Sequence, residues 1–267
     1  MKGLVIVICG PSQAVKDYIA DELMRYLAMF DRVTSYASVY KIREPRTTDG
    51  KHVKCIASLD QVDVQQEDRV DDTLFGNQTI IYDKKEIKQK LERGEIVFIA
   101  TVSPQLAKKV KAEFGKQCYS VFVKAQQVSK DHMLEEDLKR HGVGVGNASV
   151  EQLASSKKNI EKRMAFFEQM KPEMIDFVRD KELGADFIFR NIHTLMGGPW
   201  NSIIDEMSRR EFGALAGVIM QVQSCIQQGR DWSYYSLSDE ERTGENLFTL
   251  LDVWSDYISR KDDDFII

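Results

Sequence analysis

The chain has 267 residues, enough for one large domain or a domain with an appendage. Its 43% hydrophobic and 30% charged content is that of an ordinary globular protein, and a net charge of −5 without a basic block excludes an electrostatic footprint for nucleic acid or an anionic membrane. The N-terminal apolar run is too short to cross a membrane, and no small-residue cleavage site follows it, so a cytoplasmic protein is expected.

In chain order, Leu4–Cys9 is a short apolar run rich in β-branched residues and predicts a buried parallel strand. Gly10-Pro-Ser12-Gln-Ala-Val15-Lys16-Asp17 follows, and then apolar residues at Tyr18, Ile19, Leu23, Tyr26 and Leu27 predict a helix over 15–30. Residues 31–83 are turn-rich and charged, which suggests an inserted subdomain. A short amphipathic helix over 84–93 stops before Gly94, and a strand over 96–100 comes next. Ser103-Pro104 supplies an N-cap and an N1 proline for a helix that stops at Gly115. Strands are predicted over 119–123 and, more weakly, over 186–190. Between them, residues 129–172 read as two charged helices joined by the glycine loop 142–147, which would suit a hinge or lid. The alternation argues for a doubly wound parallel α/β sheet.

Beyond residue 207, Phe212, Leu215, Ala216, Ile219, Val222 and Ile226 mark one face of a further helix. Ser238-Asp-Glu-Glu241 has the form of a capping box before another, and the pair reads as a helical hairpin over 208–267. Its Trp and Tyr content makes a homodimer or protein-partner surface the functional alternative to plain packing. Four scattered cysteines form no C-x-x-C pair and four histidines share no ligand spacing, so no metal centre of that kind is expected.

A strand, then Gly10 and Lys16 at P-loop separation, then a helix, is the context of a phosphate-cradling loop. Val15 replaces its second glycine and Asp17 its hydroxyl residue, which costs close phosphate approach and a Mg²⁺ ligand. Together with Arg43-Glu-Pro-Arg46, Asp49-Gly-Lys51 and Leu91-Glu-Arg-Gly94, this order resembles the guanylate kinase family over residues 3–207. The resemblance implies a P-loop fold of that type, with 31–83 as an acceptor-binding insertion and 129–172 as a helical lid. It implies that Ser38, Arg43 and Arg46 grip the acceptor phosphate. It also implies that Gly10, Ser12, Lys16, Asp17, Arg140 and Asn191 meet the donor nucleotide, with Lys16 as the catalytic residue. Arg163 is a further cation within reach of a donor phosphate. The expected cofactors are ATP and Mg²⁺, bound weakly or not at all, because Thr101 and Ser103 stand where the family carries an acidic pair. Asp68, Asp71 and Asp72 are the nearby acids that would have to compensate.

Three functions therefore compete. The first is a diverged, weak or inactive phosphotransferase that retains a site for a nucleotide or other phosphorylated ligand. The second is an active ATP-dependent nucleoside monophosphate kinase. The third is an interaction scaffold working through residues 208–267.

Overall fold

The structure is a computed structural model that describes residues 2–11, 16–45, 49–74, 78–125, 134–135, 137–138, 142–191 and 202–243. Its centre is a parallel sheet of β1 (Leu4–Cys9), β2 (Thr34–Tyr36), β7 (Ile96–Thr101), β8 (Cys118–Ala125) and β9 (Phe187–Asn191), in the order β2-β7-β1-β8-β9. Every residue of β1 is fully buried because the sheet is covered on both faces, which is why its sequence is a continuous apolar run rather than an alternating one.

The alternation appears in where those side chains go. Leu4, Ile6 and Ile8 pack with Ile19, Leu23 and Leu27 of α1 (Lys16–Ala28). Val5, Val7 and Cys9 pack on the other face with residues of three later helices: α2 (Lys84–Glu92), α3 (Pro104–Phe114) and α4 (Val150–Arg179). The predicted helix stops are realised: Gly94 and Gly115 both take positive φ, which glycine adopts at little cost. The start of α3 is also as predicted, with Ser103 Oγ accepting from the Leu106 amide at 3.0 Å.

Two predictions need correction. The edge strand β2 lies inside the span expected as an insertion but pairs with β7, so it belongs to the central sheet. The chain from residue 39 onward builds a second sheet of β3 (Val39–Ile42), β4 (Val53–Ile56), β5 (Arg69–Leu74) and β6 (Gln78–Asp83), ordered β4-β3-β6-β5. Secondly, the boundary expected at 207/208 falls inside one helix, α5 (Ser202–Gln227). Phe212, Leu215, Ile219 and Val222 of α5 are buried against α1 and the sheet, so this apolar face is part of the core and is not left open for a partner.

The last described helix, α6 (Asp239–Thr243), opens with the predicted capping box: Glu241 Oε2 accepts from the Ser238 amide at 2.8 Å and Ser238 Oγ from the Glu241 amide at 3.3 Å. Buried Arg242 then donates to the carbonyls of Val178, Asp180 and Ala185, closing the carboxyl end of α4. The remainder of the predicted hairpin lies outside the described residues. Among the described residues no helix is long and apolar enough to cross a membrane.

Candidate functional site

β1 lies between β7 and β8, and the helices that follow β1 and β7 leave toward opposite faces. That reversal opens a crevice outside the carboxyl ends of the strands, where α/β sheets bind ligands. The second sheet is reached from the carboxyl end of β2 and left through α2, so it stands over the same end.

The loop after β1 supplies one wall. At Gly10 a Cβ would lie 2.7 Å from the Val123 carbonyl oxygen, so close packing of β8 itself requires glycine there. Lys16 opens α1, where a cation opposes the helix dipole, and it is nearly buried. Such a group needs oxygen ligands, and its ammonium turns back to donate to the Pro11 carbonyl at 2.6 Å. Beneath it, burial pushes the Cys9 thiol up to about 12 although the Lys16 charge pulls the other way. Asp17 is exposed and its charge bears on Lys41, His52 and Tyr82 across the crevice.

The inner face of the second sheet supplies the other wall. Val39 packs into the main core, so by strand alternation Lys41 faces the same way, and Arg43 follows directly. The Arg43 guanidinium clasps Asp49 with both terminal nitrogens, Nη1 to Oδ2 at 2.9 Å and Nη2 to Oδ1. Nη1 also reaches the Glu44 carbonyl at 2.7 Å and Cys55 Sγ at 3.5 Å. Burial would lower this guanidinium, but the Asp49 hydrogen bonds hold it above its ordinary value. For Lys41, burial and then the Arg43 charge depress the ammonium, with Asp17 and Asp49 opposing. Beside them His52 stacks on Tyr36 with ring centroids 4.1 Å apart. The Tyr36 hydroxyl lies 2.9 Å from Asp21 Oδ1 and 3.0 Å from the Asp17 carbonyl, which ties β2 to α1.

Ser38, expected on the same phosphate as Arg43, is placed otherwise. It precedes β3 while Arg43 follows it, and its hydroxyl donates to Glu86 Oε1 at 2.9 Å. Lys90 shares that carboxylate at 2.6 Å. The two residues sit at opposite ends of a strand, and among the described residues no hydrogen bond joins them.

At the end of β7, Thr101 and Ser103 are buried, and Thr101 Oγ1 accepts from the Ser103 amide at 3.0 Å. Ser103 Oγ donates to Asp72 Oδ2, so a carboxylate does arrive here, delivered by β5 of the second sheet. Of the other two acids, Asp68 pairs with Lys85 at 2.5 Å, and Asp71 offers its carbonyl to Lys109 at 2.7 Å. A Mg²⁺ ion asks for several hard oxygen ligands in near-octahedral order. Asp72 is committed to Ser103, and no group of three or more His, Cys, Asp or Glu gathers into a metal-holding cluster among the described residues.

Ser12, Val15, Arg46 and Arg140 lie outside the described residues, as do the side chains of Arg163 and Asn191; the backbone of Asn191 ends β9. Lys41, Asp49 and His52 are the members of the crevice that sequence reasoning did not assign to it, whereas Asp72 was among the acids it named. The signal for Lys41 was its spacing of two from Val39 and from Arg43.

No protein-family model matches the chain. No curated protein matches it either. Among solved structures it is similar to the crystal structure of guanylate kinase from Anaplasma phagocytophilum, at 12% identity and a TM-score of 0.44, over 83% of this chain and 87% of that one.

Proposed function

We propose that the crevice between α1 and the inner face of the second sheet recognises a phosphorylated ligand, a nucleoside monophosphate first among the class. On this reading the chain is a guanylate-kinase-like protein whose phosphotransferase activity is weak or lost. The observation that carries the reading is the Arg43 clasp. A planar guanidinium with two parallel bonds to a carboxylate is already in the geometry that a phosphate accepts, and Lys41 adds a second positive charge beside it. Asp49 then occupies the place of the ligand's oxygens.

The donor half supports weak or absent transfer. Phosphoryl transfer depends on positioning and charge neutralisation. Here the lysine of the loop is turned onto Pro11, and the acidic pair is replaced by hydroxyls that cap α3 and hold Asp72. The described part of the crevice offers cations for an acceptor phosphate, while Asp72, the acid that arrives at the end of β7, is held by Ser103. ATP and Mg²⁺ are cofactors of the alternative, an active kinase. The scaffold alternative loses ground because the α5 face is buried.

Isothermal titration with GMP, AMP, inorganic phosphate and ATP–Mg²⁺, beside a transfer assay on the same mixtures, tests the proposal. Saturable monophosphate binding that falls about tenfold or more in Arg43→Ala is expected, since a hydrogen bond to a charged group is worth about 1.5–3 kcal/mol. Turnover abolished by Lys16→Ala would establish the active kinase instead. Absence of binding by every monophosphate would remove the phosphate reading altogether.

A further inference from the structure

A second cavity lies at the opposite, amino edge of the central sheet, where Lys2 precedes β1, Glu92 closes α2 before β7, and Lys116 and Gln117 precede β8. Its volume is about 560 Å³, within the range of small-molecule sites. Leu91, Phe114, Ile226 and Trp232 form an apolar floor, and each is buried. The floor is held rigidly: Trp232 Nε1 donates to the Lys116 carbonyl at 3.0 Å, and its ring meets Tyr119 edge-on with centroids 5.5 Å apart.

The rim is cationic in a chain whose net charge is −5. Lys2, Lys116 and Arg230 line the mouth and are exposed, and the Lys116 charge bears on the carboxylate of Asp231, which follows Arg230. Of the two acids lining the rim, Glu113 is neutralised by Lys84 at 3.3 Å and Lys88 at 2.7 Å, which leaves Glu92 and the nearby Asp231 against three cations. An apolar floor favours an apolar body, and converging cations favour one anionic group on it.

We propose that this cavity is a second ligand site, separate from the crevice, for a small amphipathic organic anion: a flat or short apolar body carrying one carboxylate. The body packs on Trp232 and Phe114, and the carboxylate meets Lys116 and Arg230. None of this depends on the phosphate reading of the crevice, because the two sites lie at opposite edges of the sheet.

Titration of the full chain with 1-naphthoate, followed by tryptophan emission and by calorimetry, tests it. Saturable binding is expected, with an emission change that disappears in Trp232→Phe. Lys116→Ala with Arg230→Ala, both exposed side chains whose loss leaves the fold intact, should weaken binding about tenfold. The uncharged analogue 1-naphthalenemethanol should bind at least about tenfold more weakly. Arg43→Ala should leave naphthoate binding unchanged. Absence of saturable binding, equal binding in the Lys116/Arg230 double variant, or loss of binding in Arg43→Ala would each overturn the proposal.

Discussion

Two cation–carboxylate pairs in this molecule use the same chemistry to opposite ends. Near the amino edge of the sheet, Lys111 Nζ meets both oxygens of Asp186 at 2.7 Å, and the side chains are only 7% and 3% exposed. Every remaining valence is taken there. Lys111 also donates to the Gly184 carbonyl at 2.7 Å, while Asp186 accepts from the Ser120 amide at 2.9 Å and from Ser236 Oγ at 3.1 Å. In the crevice, Arg43 and Asp49 are 9% and 14% exposed, and the clasp is bordered by Lys41, a second cation whose charge feels Asp17 as well as Asp49. A pair saturated by its surroundings holds a fold together. One that borders a second cation at a solvent edge is a place where an anion can take over the resident carboxylate's bonds.

The sharpest way to break this contrast is Asp186→Ala. It strands a buried ammonium and orphans the Ser120 amide, so it should cost about 3–5 kcal/mol, seen as a large fall in the urea midpoint. A small loss would mean that the buried pair is as dispensable as a surface one. Arg242→Ala comes next. It leaves three carbonyls, those of Val178, Asp180 and Ala185, without their shared donor, and about 3 kcal/mol is expected in the same measurement.

Asp49→Asn probes the other member of the comparison and should behave differently in kind. Stability should fall by about 1–3 kcal/mol, less than at Asp186, because the pair is largely buried but Asn keeps an oxygen that accepts from Arg43. Monophosphate affinity should instead rise about fivefold, since the carboxylate no longer competes for the guanidinium. Weaker binding in Asp49→Asn would show that Asp49 positions Arg43 for the ligand rather than standing in its place.

Much of the frame that carries this contrast was readable in the sequence. β1, β7 and β8 are continuous apolar runs, and the end of α2 and both ends of α3 are written in Gly94, Ser103, Pro104 and Gly115. The second sheet was not readable. Its strands are short and mix charge with apolar residues, and its face becomes visible only when β3 is placed parallel to β4 and antiparallel to β6. Once that pairing is known, Val39 and Lys41 share a side by simple alternation, and Arg43 lies just past the strand, its amide donating to the Lys41 carbonyl at 3.1 Å. The contact of Ser103 with Asp72 spans 31 residues and rests on how one sheet seats on the other, which no local spacing encodes. Gly10 and Lys16 were readable as positions, but what each touches was not.

The smallest expected effect concerns pH. Burial depresses His52 below its ordinary value, Asp17 and Asp21 oppose this, and Lys41 and Lys90 add to it. A base whose folded value lies below its unfolded one takes up its proton more readily when unfolded. Its contribution is therefore complete above about pH 6.5 and drains away as pH falls toward the folded value. His52→Phe keeps an aromatic ring against Tyr36 and removes the titration. The urea midpoint of the unsubstituted chain should thus decline from about pH 6.5 downward more steeply than that of His52→Phe. Asp186→Asn, made at the saturated pair, should lower the midpoint without flattening that decline. Parallel profiles for the chain and His52→Phe would mean that the ring takes up its proton equally well folded and unfolded. The crevice would then not impose on His52 the burial and the neighbouring Lys41 charge that depress it.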